Sequence, residues 1–345
     1  MGMEVIDSIG RHLLHPPWVN ESVVVAWHAG EPLMAGMEFY EDALSRLSSL
    51  AEHGLRLRHA IQTNGMLIND EWIDLFRRWD MHIGLSLDGP PHIHDAMRVD
   101  RAGRGTAAAA LKGLQRLTAA KLPFEVITVL THNSLDFPEE LFHFYLENSI
   151  SSVAFNVEEI EGPHLSSTLE HPDAVQRFRC FLERFWDLVD RHPGALSVRE
   201  IKGAISAILN MNSVEPTNPL ADPLDIISVD AEGNMSTFAP ELLSTHDPRL
   251  GSFIFGNVRD GGPEQFLSNP NYLIIKDEIA AGIKACRQSC NWFPLCGGGS
   301  PSNKLFETGR LDTSETLYCR LGHQTLLDVA LNRLENSLEA SIEAE

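Results

Sequence analysis

Short apolar or β-branched runs alternate with longer segments of helical period along the first half of the chain, and this alternation limits the fold more than any single motif. The strand-like runs are Val23 to His28, Leu57 to Gln62, His82 to Leu87, Phe124 to Leu130 and Ser152 to Val157. Between them, in Glu38 to Glu52, Asp70 to Trp79, Thr106 to Ala120 and Phe137 to Glu147, apolar residues recur three and four apart, as in amphipathic helices. Such alternation predicts an α/β fold of parallel strands joined by right-handed helical crossovers, as a wound barrel or an open doubly wound sheet. The run ends favour the barrel. They are Trp27-His28-Ala29-Gly30-Glu31-Pro32, Thr63-Asn64-Gly65, Ser86-Leu87-Asp88-Gly89-Pro90, Thr131-His132-Asn133 and Asn156-Val157-Glu158-Glu159. Successive polar strand ends share one rim of a β/α barrel and build a site there. Taken singly, each signals no more than a turn.

Four of the five cysteines, Cys286, Cys290, Cys296 and Cys319, fall near the end of the chain, the first three in Cys-Arg-Gln-Ser-Cys-Asn-Trp-Phe-Pro-Leu-Cys-Gly-Gly-Gly. Thiolates so spaced can converge on one metal or cluster, and the adjoining glycines let the backbone wrap closely around it. Zinc suits four thiolates as well as an iron–sulfur cluster does by charge and softness. A pair of disulfides is the plain alternative, but disulfides follow an oxidising compartment, and the chain opens without a charged-then-apolar signal segment. The fifth, Cys180, stands alone in Phe178-Arg179-Cys180-Phe181-Leu182, a helical apolar pattern in which a lone cysteine packs as a small hydrophobe.

At 345 residues, 43% hydrophobic and 22% charged, the chain can build one large domain plus a smaller one. A net charge of -21 argues against nucleic acid or an anionic membrane surface as partner. No stretch of about 18 uncharged apolar residues offers a membrane span, and a cytoplasmic location is expected. An amphipathic helix is predicted at the start, with Val5, Ile6, Ile9, Leu13 and Leu14 on one face. Beyond the alternating region, Ala174 to Val189 and Val198 to Leu209 have helical spacing, with Phe178, Phe185 and Trp186 as core, and the polar stretch Asn212 to Pro223 reads as a linker. A hairpin, Ile226 to Val229 and Met235 to Phe238, is expected around Ala231-Glu232-Gly233-Asn234.

From Val23 to His323 the chain resembles radical S-adenosylmethionine (SAM) enzymes with a carboxyl-terminal SPASM or twitch extension. Gly30-Glu31-Pro32 resembles the end of that family's Gly-Gly-Glu-Pro motif, whose backbone meets the SAM amino group. Thr63-Asn64-Gly65 and Ser86-Leu87-Asp88-Gly89-Pro90 resemble its third and fourth strand ends, and Arg98 the arginine that approaches the SAM carboxylate. Trp-His-Ala-Gly-Glu-Pro-Leu and Cys-Gly-Gly-Gly-Ser-Pro-Ser-Asn-Lys resemble the maturases that form cyclophanes in glycine-rich ribosomal peptides. Elementary chemistry agrees: Gly30 admits a ligand near the backbone, Ser86 and Asp88 offer acceptors to ribose hydroxyls, and Arg98 a fork for a carboxylate. The alternative is that Arg98 merely pairs with Asp95.

The resemblance implies a partial barrel over 1–165, a helical bridge over 166–225, and a SPASM or twitch domain with a C-terminal helix over 226–345. The hairpin would open that domain, but its Ser236-Thr237-Phe238-Ala239-Pro240-Glu241 lacks the cysteines expected there, and Ser300 stands where another is expected. One auxiliary 4Fe-4S cluster at Cys286, Cys290, Cys296 and Cys319 is therefore the implied cofactor, with zinc the competitor. SAM and a second cluster, held in a Cys-x3-Cys-x2-Cys loop after the first barrel strand, belong to the complete family form. Residues 1–345 contain no such loop. The expectation is a barrel lacking its first strand, with the Val23 strand at an exposed edge, and a chain inactive as it stands. Implied partners are a ribosomal precursor peptide and a reducing electron donor. The reaction would be hydrogen abstraction followed by a side-chain cross-link, with Asp88, Glu158, Glu159 or Glu241 accepting the released proton. A precursor-peptide-binding protein without chemistry and a zinc-stabilised structural protein are the other readings.

Overall fold

The computed structural model describes residues 1–162, 164–211 and 216–343. Helix α1 (Met3–Leu13) buries Val5, Ile6 and Leu13, as its periodicity predicts, and leads into strand β1 (Ser22–Trp27). Alternation follows in α2 (Met37–Leu50), β2 (Arg56–Thr63), α3 (Asp70–Arg78), β3 (His82–Ser86), α4 (Pro91–Met97), α5 (Ala107–Ala119), β4 (Phe124–Leu130), α6 (Pro138–Glu147) and β5 (Ser152–Val157). Then come α7 (Ala174–Arg191), the two-residue strand β6 (Ser197–Val198), too short for a period-2 signal, and α8 (Arg199–Asn210). The strands form one parallel sheet in the order β1-β2-β3-β4-β5-β6. A consecutive order winds one way around a barrel, whereas a doubly wound sheet reverses at a switch point. Among the described residues β1 pairs with β2 alone, and Val24 on it is 49% exposed, the edge expected from the sequence.

Local chemistry fixes the helices that flank the sheet. Asn69 caps α3 by accepting from the Trp72 N–H at 3.0 Å, with Asp70 and Glu71 in the first turn and Arg77 and Arg78 in the last, each favourable to the helix dipole. Helix α7 buries Phe178, Phe181, Leu182, Phe185 and Trp186, and Phe185 lies 5.0 Å from the Phe155 ring of β5, edge-on. Cys180 departs from expectation. Two residues past Phe178, it points off the apolar stripe and is exposed, with Gln176 Nε2 donating to its sulfur at 3.4 Å.

The carboxyl-terminal part begins past the expected linker, of which residues 212–215 lie outside those described. Strands β7 (Ile227–Val229) and β8 (Asn234–Thr237) form the expected hairpin. Two short strands, β9 (His246–Asp247) and β10 (Gly251–Ser252), pair with each other, and β11 (Gly256–Asn257) pairs antiparallel with β8. Phe238, Phe253, Phe255, Phe266 and Tyr272 fill the core beneath them, joined by Val5 and Leu13 of α1. Helices α9 (Pro270–Ser289), α10 (Phe293–Cys296) and α11 (Pro301–Thr308) follow, then a π-helical segment, Cys319–Thr325, and α12 (Leu326–Glu343). Leu326, Leu327, Val329 and Ala330 join the sheet's core, so α12 packs back on the barrel side. Helix α9 is not among the predicted elements, although Tyr272, Ile275, Ile279, Gly282 and Cys286 recur at helical spacing. No helix among the described residues is long and apolar enough to cross a membrane.

Packing reaches the rim at one glycine pair. A Cβ on Gly113 of α5 would stand 2.1 Å from the carbonyl oxygen of Gly65, which follows β2 and itself adopts φ +76°. Helix propensity alone makes alanine better than glycine by about 0.8–1.0 kcal/mol. The backbone clash opposes this, so Gly113→Ala is expected to lose about 1–3 kcal/mol of stability in urea unfolding. An unchanged or raised midpoint would show that the approach of α5 to the β2 end is not constraining.

Candidate functional site

The first two strand ends are tied together by one carboxylate. Ala29 and Gly30 both adopt positive φ (72° and 62°), turning the chain back so that Glu31 reaches the end of β2. Glu31 Oε1 accepts from the Thr63 hydroxyl at 2.7 Å and the Leu33 N–H at 3.0 Å, and Oε2 from the Asn64 N–H at 2.8 Å. Tyr40 donates to the Pro32 carbonyl at 3.2 Å. Asn64 Oδ1 accepts from the Met66 N–H, and the Thr63 hydroxyl from the Gly65 N–H. The Glu31, Thr63 and Asn64 side chains thus shape the rim, while nothing lies within 4 Å of where a Cβ on Gly30 would stand.

At the end of β3, Ser86 and Asp88 are buried. Asp88 takes a two-pronged bond from Arg98, Nε to Oδ2 at 2.5 Å and Nη2 to Oδ1 at 3.1 Å, and a third from the Val129 N–H at 2.9 Å. The Asp88 N–H donates to His94 Nδ1 at 3.2 Å, leaving the proton on Nε2 to meet Thr106 Oγ1 at 3.0 Å; that hydroxyl donates to the Arg98 carbonyl. Burial lowers the His94 pKa and keeps this tautomer neutral. The alternative pairing of Arg98 with Asp95 fails: Asp95 instead accepts from the Ala107 N–H at 2.8 Å, at the start of α5. Nor does Asp88 stand as a free base, since three hydrogen bonds commit its carboxylate.

The next two ends differ. His132, after β4, meets Asp173 Oδ1 through Nε2 at 2.8 Å, and His171 Nδ1 meets the same oxygen at 2.5 Å. These three ligand-type groups lie within 4.8 Å of one another, but Arg177 already brings its guanidinium to His132 and pairs with Asp136. Glu158, after β5, accepts at Oε2 from the Ser167 hydroxyl and from Thr168 N–H and hydroxyl, at 2.5 to 3.0 Å. It is therefore a loop clamp, not a free base. Its neighbours behave otherwise. Glu159 and Glu161 are half-buried, and desolvation, with Glu241 from the loop after β8 nearby, pushes each pKa up to about 7. Glu159 also accepts from Asn303 Nδ2 at 2.5 Å, so the barrel rim touches α11 here.

Asn303 belongs to the cysteine region. Cys286 lies in the last turn of the long α9, Cys290 caps it, Cys296 ends α10 and Cys319 opens the π-helical segment. All four are free thiols, and the disulfide alternative is not realised. Burial pushes the Cys319 thiol up to about 12, with the other three cysteines adding to the shift, so the four lie in one electrostatic neighbourhood. Yet no three of their sulfurs fall within 4.8 Å of one another. Gly297, Gly298 and Gly299 take positive φ and wrap the site. Gly298 N–H, Gln324 Nε2 and Lys304 Nζ each donate to a cysteine sulfur at 3.5 Å. Phe238, after β8, is fully buried and stacks on Tyr272, and the Ser300 hydroxyl bonds that of Ser302 at 2.7 Å. Glu161, Asn303 and Lys304 are not among the predicted site residues. Asn303 and Lys304 nevertheless sit in the glycine-rich cysteine run, where polar residues beside ligands are the available signal.

Residues 12–145 match the Radical SAM superfamily. An uncharacterised protein of Synechocystis sp. is 38% identical over 340 residues, 97% of this chain and 85% of that protein. The cysteine-type anaerobic sulfatase-maturating enzyme of Clostridium novyi is 24% identical over 92% of this chain and 83% of its own length. Among solved structures, native anSMEcpe with bound AdoMet superposes with a TM-score of 0.77 at 21% identity, over 98% of this chain and 89% of that one. Streptococcus suis SuiB bound to precursor peptide SuiA gives 0.56 at 16% identity, over 86% and 64%. At these identities the superpositions speak for the fold. The chain carries a radical SAM domain over residues 12–145 and is a radical SAM enzyme.

Proposed function

We propose that the protein is a maturase of ribosomal precursor peptides, forming a side-chain cross-link, with SAM at the strand-end rim and one auxiliary 4Fe-4S cluster at Cys286, Cys290, Cys296 and Cys319. The observation that carries this reading is the Asn303–Glu159 bond, which joins the end of β5 to the cysteine region. A peptide substrate is supported by the names of relatives, a sulfatase-maturating enzyme and a protein solved with its precursor peptide. The cyclophane product rests on the sequence motifs alone.

The cysteine geometry fits a cluster better than zinc. Four thiolates at about 2.3 Å from one zinc ion would all stand under about 4 Å apart, whereas no three of these sulfurs lie within 4.8 Å of one another, a spread that a cluster core accommodates. Phe238 and Ser300 do not fit a second auxiliary cluster, which supports a count of one. When bound, the auxiliary cluster would supply electron transfer or structural bracing.

At the rim, Gly30, Glu31 and Pro32 would present backbone to the SAM amino group, with Thr63, Asn64 and Ser86 lining the approach. For Arg98 to meet the SAM carboxylate its fork must leave Asp88, and Asp88 then becomes free to accept ribose hydroxyls. Arg98 is partly exposed and can move. Of the proton acceptors, Glu241 is uncommitted by any hydrogen bond at its carboxylate among the described residues, and it faces Glu159 and Glu161. We assign proton acceptance to this trio. SAM cleavage itself needs an open-iron cluster, and residues 1–345 hold no Cys-x3-Cys-x2-Cys loop for it. These residues alone are expected to bind peptide and leave SAM intact.

Three experiments test the reading. Anaerobic reconstitution of residues 1–345 should give a brown, oxygen-sensitive protein with iron and sulfide in equal amounts, binding a glycine-rich precursor peptide in calorimetry. It should release no deoxyadenosine until a Cys-x3-Cys-x2-Cys segment is supplied. A colourless protein retaining zinc and binding no peptide would leave the structural-protein reading. Arg98→Lys keeps the charge but loses the fork, so SAM affinity should drop by about ten- to a hundredfold, as a charged hydrogen bond is worth about 1.5–3 kcal/mol. Unchanged affinity would make Arg98 a partner of Asp88 only. Finally, Glu159 holds a proton in the folded state up to about pH 7 that the unfolded chain releases near an ordinary 4.5. The stability this gives is whole below 4.5 and is lost as pH rises through 7. Glu159→Gln should be more stable than wild type at pH 8, with a shallower decline between those values, Glu161 supplying what remains. A parallel pair of melting-temperature curves would refute the raised pKa.

A further inference from the structure

Lys304 is out of place by ordinary rules. It lies in α11, is 3% exposed, and no carboxylate among the described residues stands within salt-bridge distance of its ammonium. Its Nζ donates instead to Cys286 Sγ at 3.5 Å. One glycine makes the room: a Cβ on Gly282 would stand 3.0 Å from Nζ. An unpaired ammonium taken out of water costs several kcal/mol, and a neutral thiol offsets little of that. A thiolate does better, and four thiolates outweigh the positive charge of the iron–sulfur core they would hold. The chain therefore buries a cation at the one place where the proposed cofactor leaves excess negative charge.

We propose that Lys304 is the buried countercation of the auxiliary cluster, raising its reduction potential and helping to retain its iron. The inference rests on the cluster reading above. Reduction potentials of such clusters follow net charge, hydrogen bonds to sulfur and solvent exposure, and Lys304 acts on the first two at once. On reduction the cluster would gain one electron from an external one-electron donor; no bond forms or breaks at Lys304. With the cation beside it, the extra negative charge costs less. Gly298 N–H and Gln324 Nε2 make the same kind of contact to Cys296 and Cys319 without a full charge. Lys304 is thus a positioning and charge-setting residue, with no contact to the reacting peptide assigned to it.

The test compares wild type, Lys304→Met and Lys304→Arg after anaerobic reconstitution, by iron and sulfide content, iron loss to a chelator, and midpoint potential in a redox titration followed by electron paramagnetic resonance. Lys304→Met should shift the midpoint to more negative potential and lose iron faster, and Lys304→Arg should recover both in part. Unchanged midpoint and iron retention in Lys304→Met overturn the inference while leaving the cluster in place. Wild type that takes up zinc and no iron overturns the cluster reading and this inference with it. Should Lys304→Met misfold, the wild type decides alone. Labelled with 15N at lysine side chains and reduced, it should show a nitrogen hyperfine coupling to the cluster, and absence of that coupling overturns the contact.

Discussion

Carboxylates that accept backbone N–H groups hold the rim of this barrel together, and the site depends on them. Glu31 takes the Asn64 N–H, Asp88 the Val129 N–H, Glu158 the Thr168 N–H and Glu200 the Phe155 N–H, each tying one strand or loop to its neighbour. The problem they solve is general. Parallel strands end together on one face, their last donors have no further ladder partner, and a buried unpaired donor costs about 1–3 kcal/mol. A charged acceptor repays this better than water does, because hydrogen bonds to ionised groups are the stronger kind. The arrangement also sorts the acids. Those spent as clamps are poor proton acceptors, and those left over, Glu159, Glu161 and Glu241, face one another where the barrel meets the cysteine region.

Much of the fold was legible because the physics that makes it is periodic. Phe124 to Leu130 and Ser152 to Val157 coincide with β4 and β5, since β-branched and aromatic residues recur in both runs. The consecutive strand order was legible only indirectly, through polar ends recurring at every strand. What escaped lacks period or length. Strands β6, β9, β10 and β11 are two residues each, and α4 is a short helix opened by Pro91. Cys180 shows the opposite failure: its apolar neighbours implied burial, but a helix presents its flanks at different angles, and residue 180 falls on the wrong one.

The site was legible at the level of residue types and not of partnerships. Arg98 and Asp88 were both expected at the rim as ligands of one small molecule, and they were expected there separately; in the structure each is the other's partner. Nothing in the spacing of residues 88 and 98 reveals this, because the chain between them passes through α4 and back. The same holds for Glu158 and Glu159, adjacent in sequence and opposite in use. One bends toward Ser167 and Thr168, the other toward Asn303, and only tertiary packing decides which.

Apolar burial holds the hairpin of the carboxyl-terminal part. Phe238 stacks on Tyr272 and joins Phe255 and Phe266 in one core cluster beneath it. A fully buried phenylalanine contributes about 1.5–3 kcal/mol by leaving water, which is comparable to what one short structural staple provides. The hairpin can therefore keep its place without metal. On the reading proposed above, one cluster at the four cysteines would be balanced by one buried cation, Lys304, and two clusters side by side would call for more positive charge than it supplies.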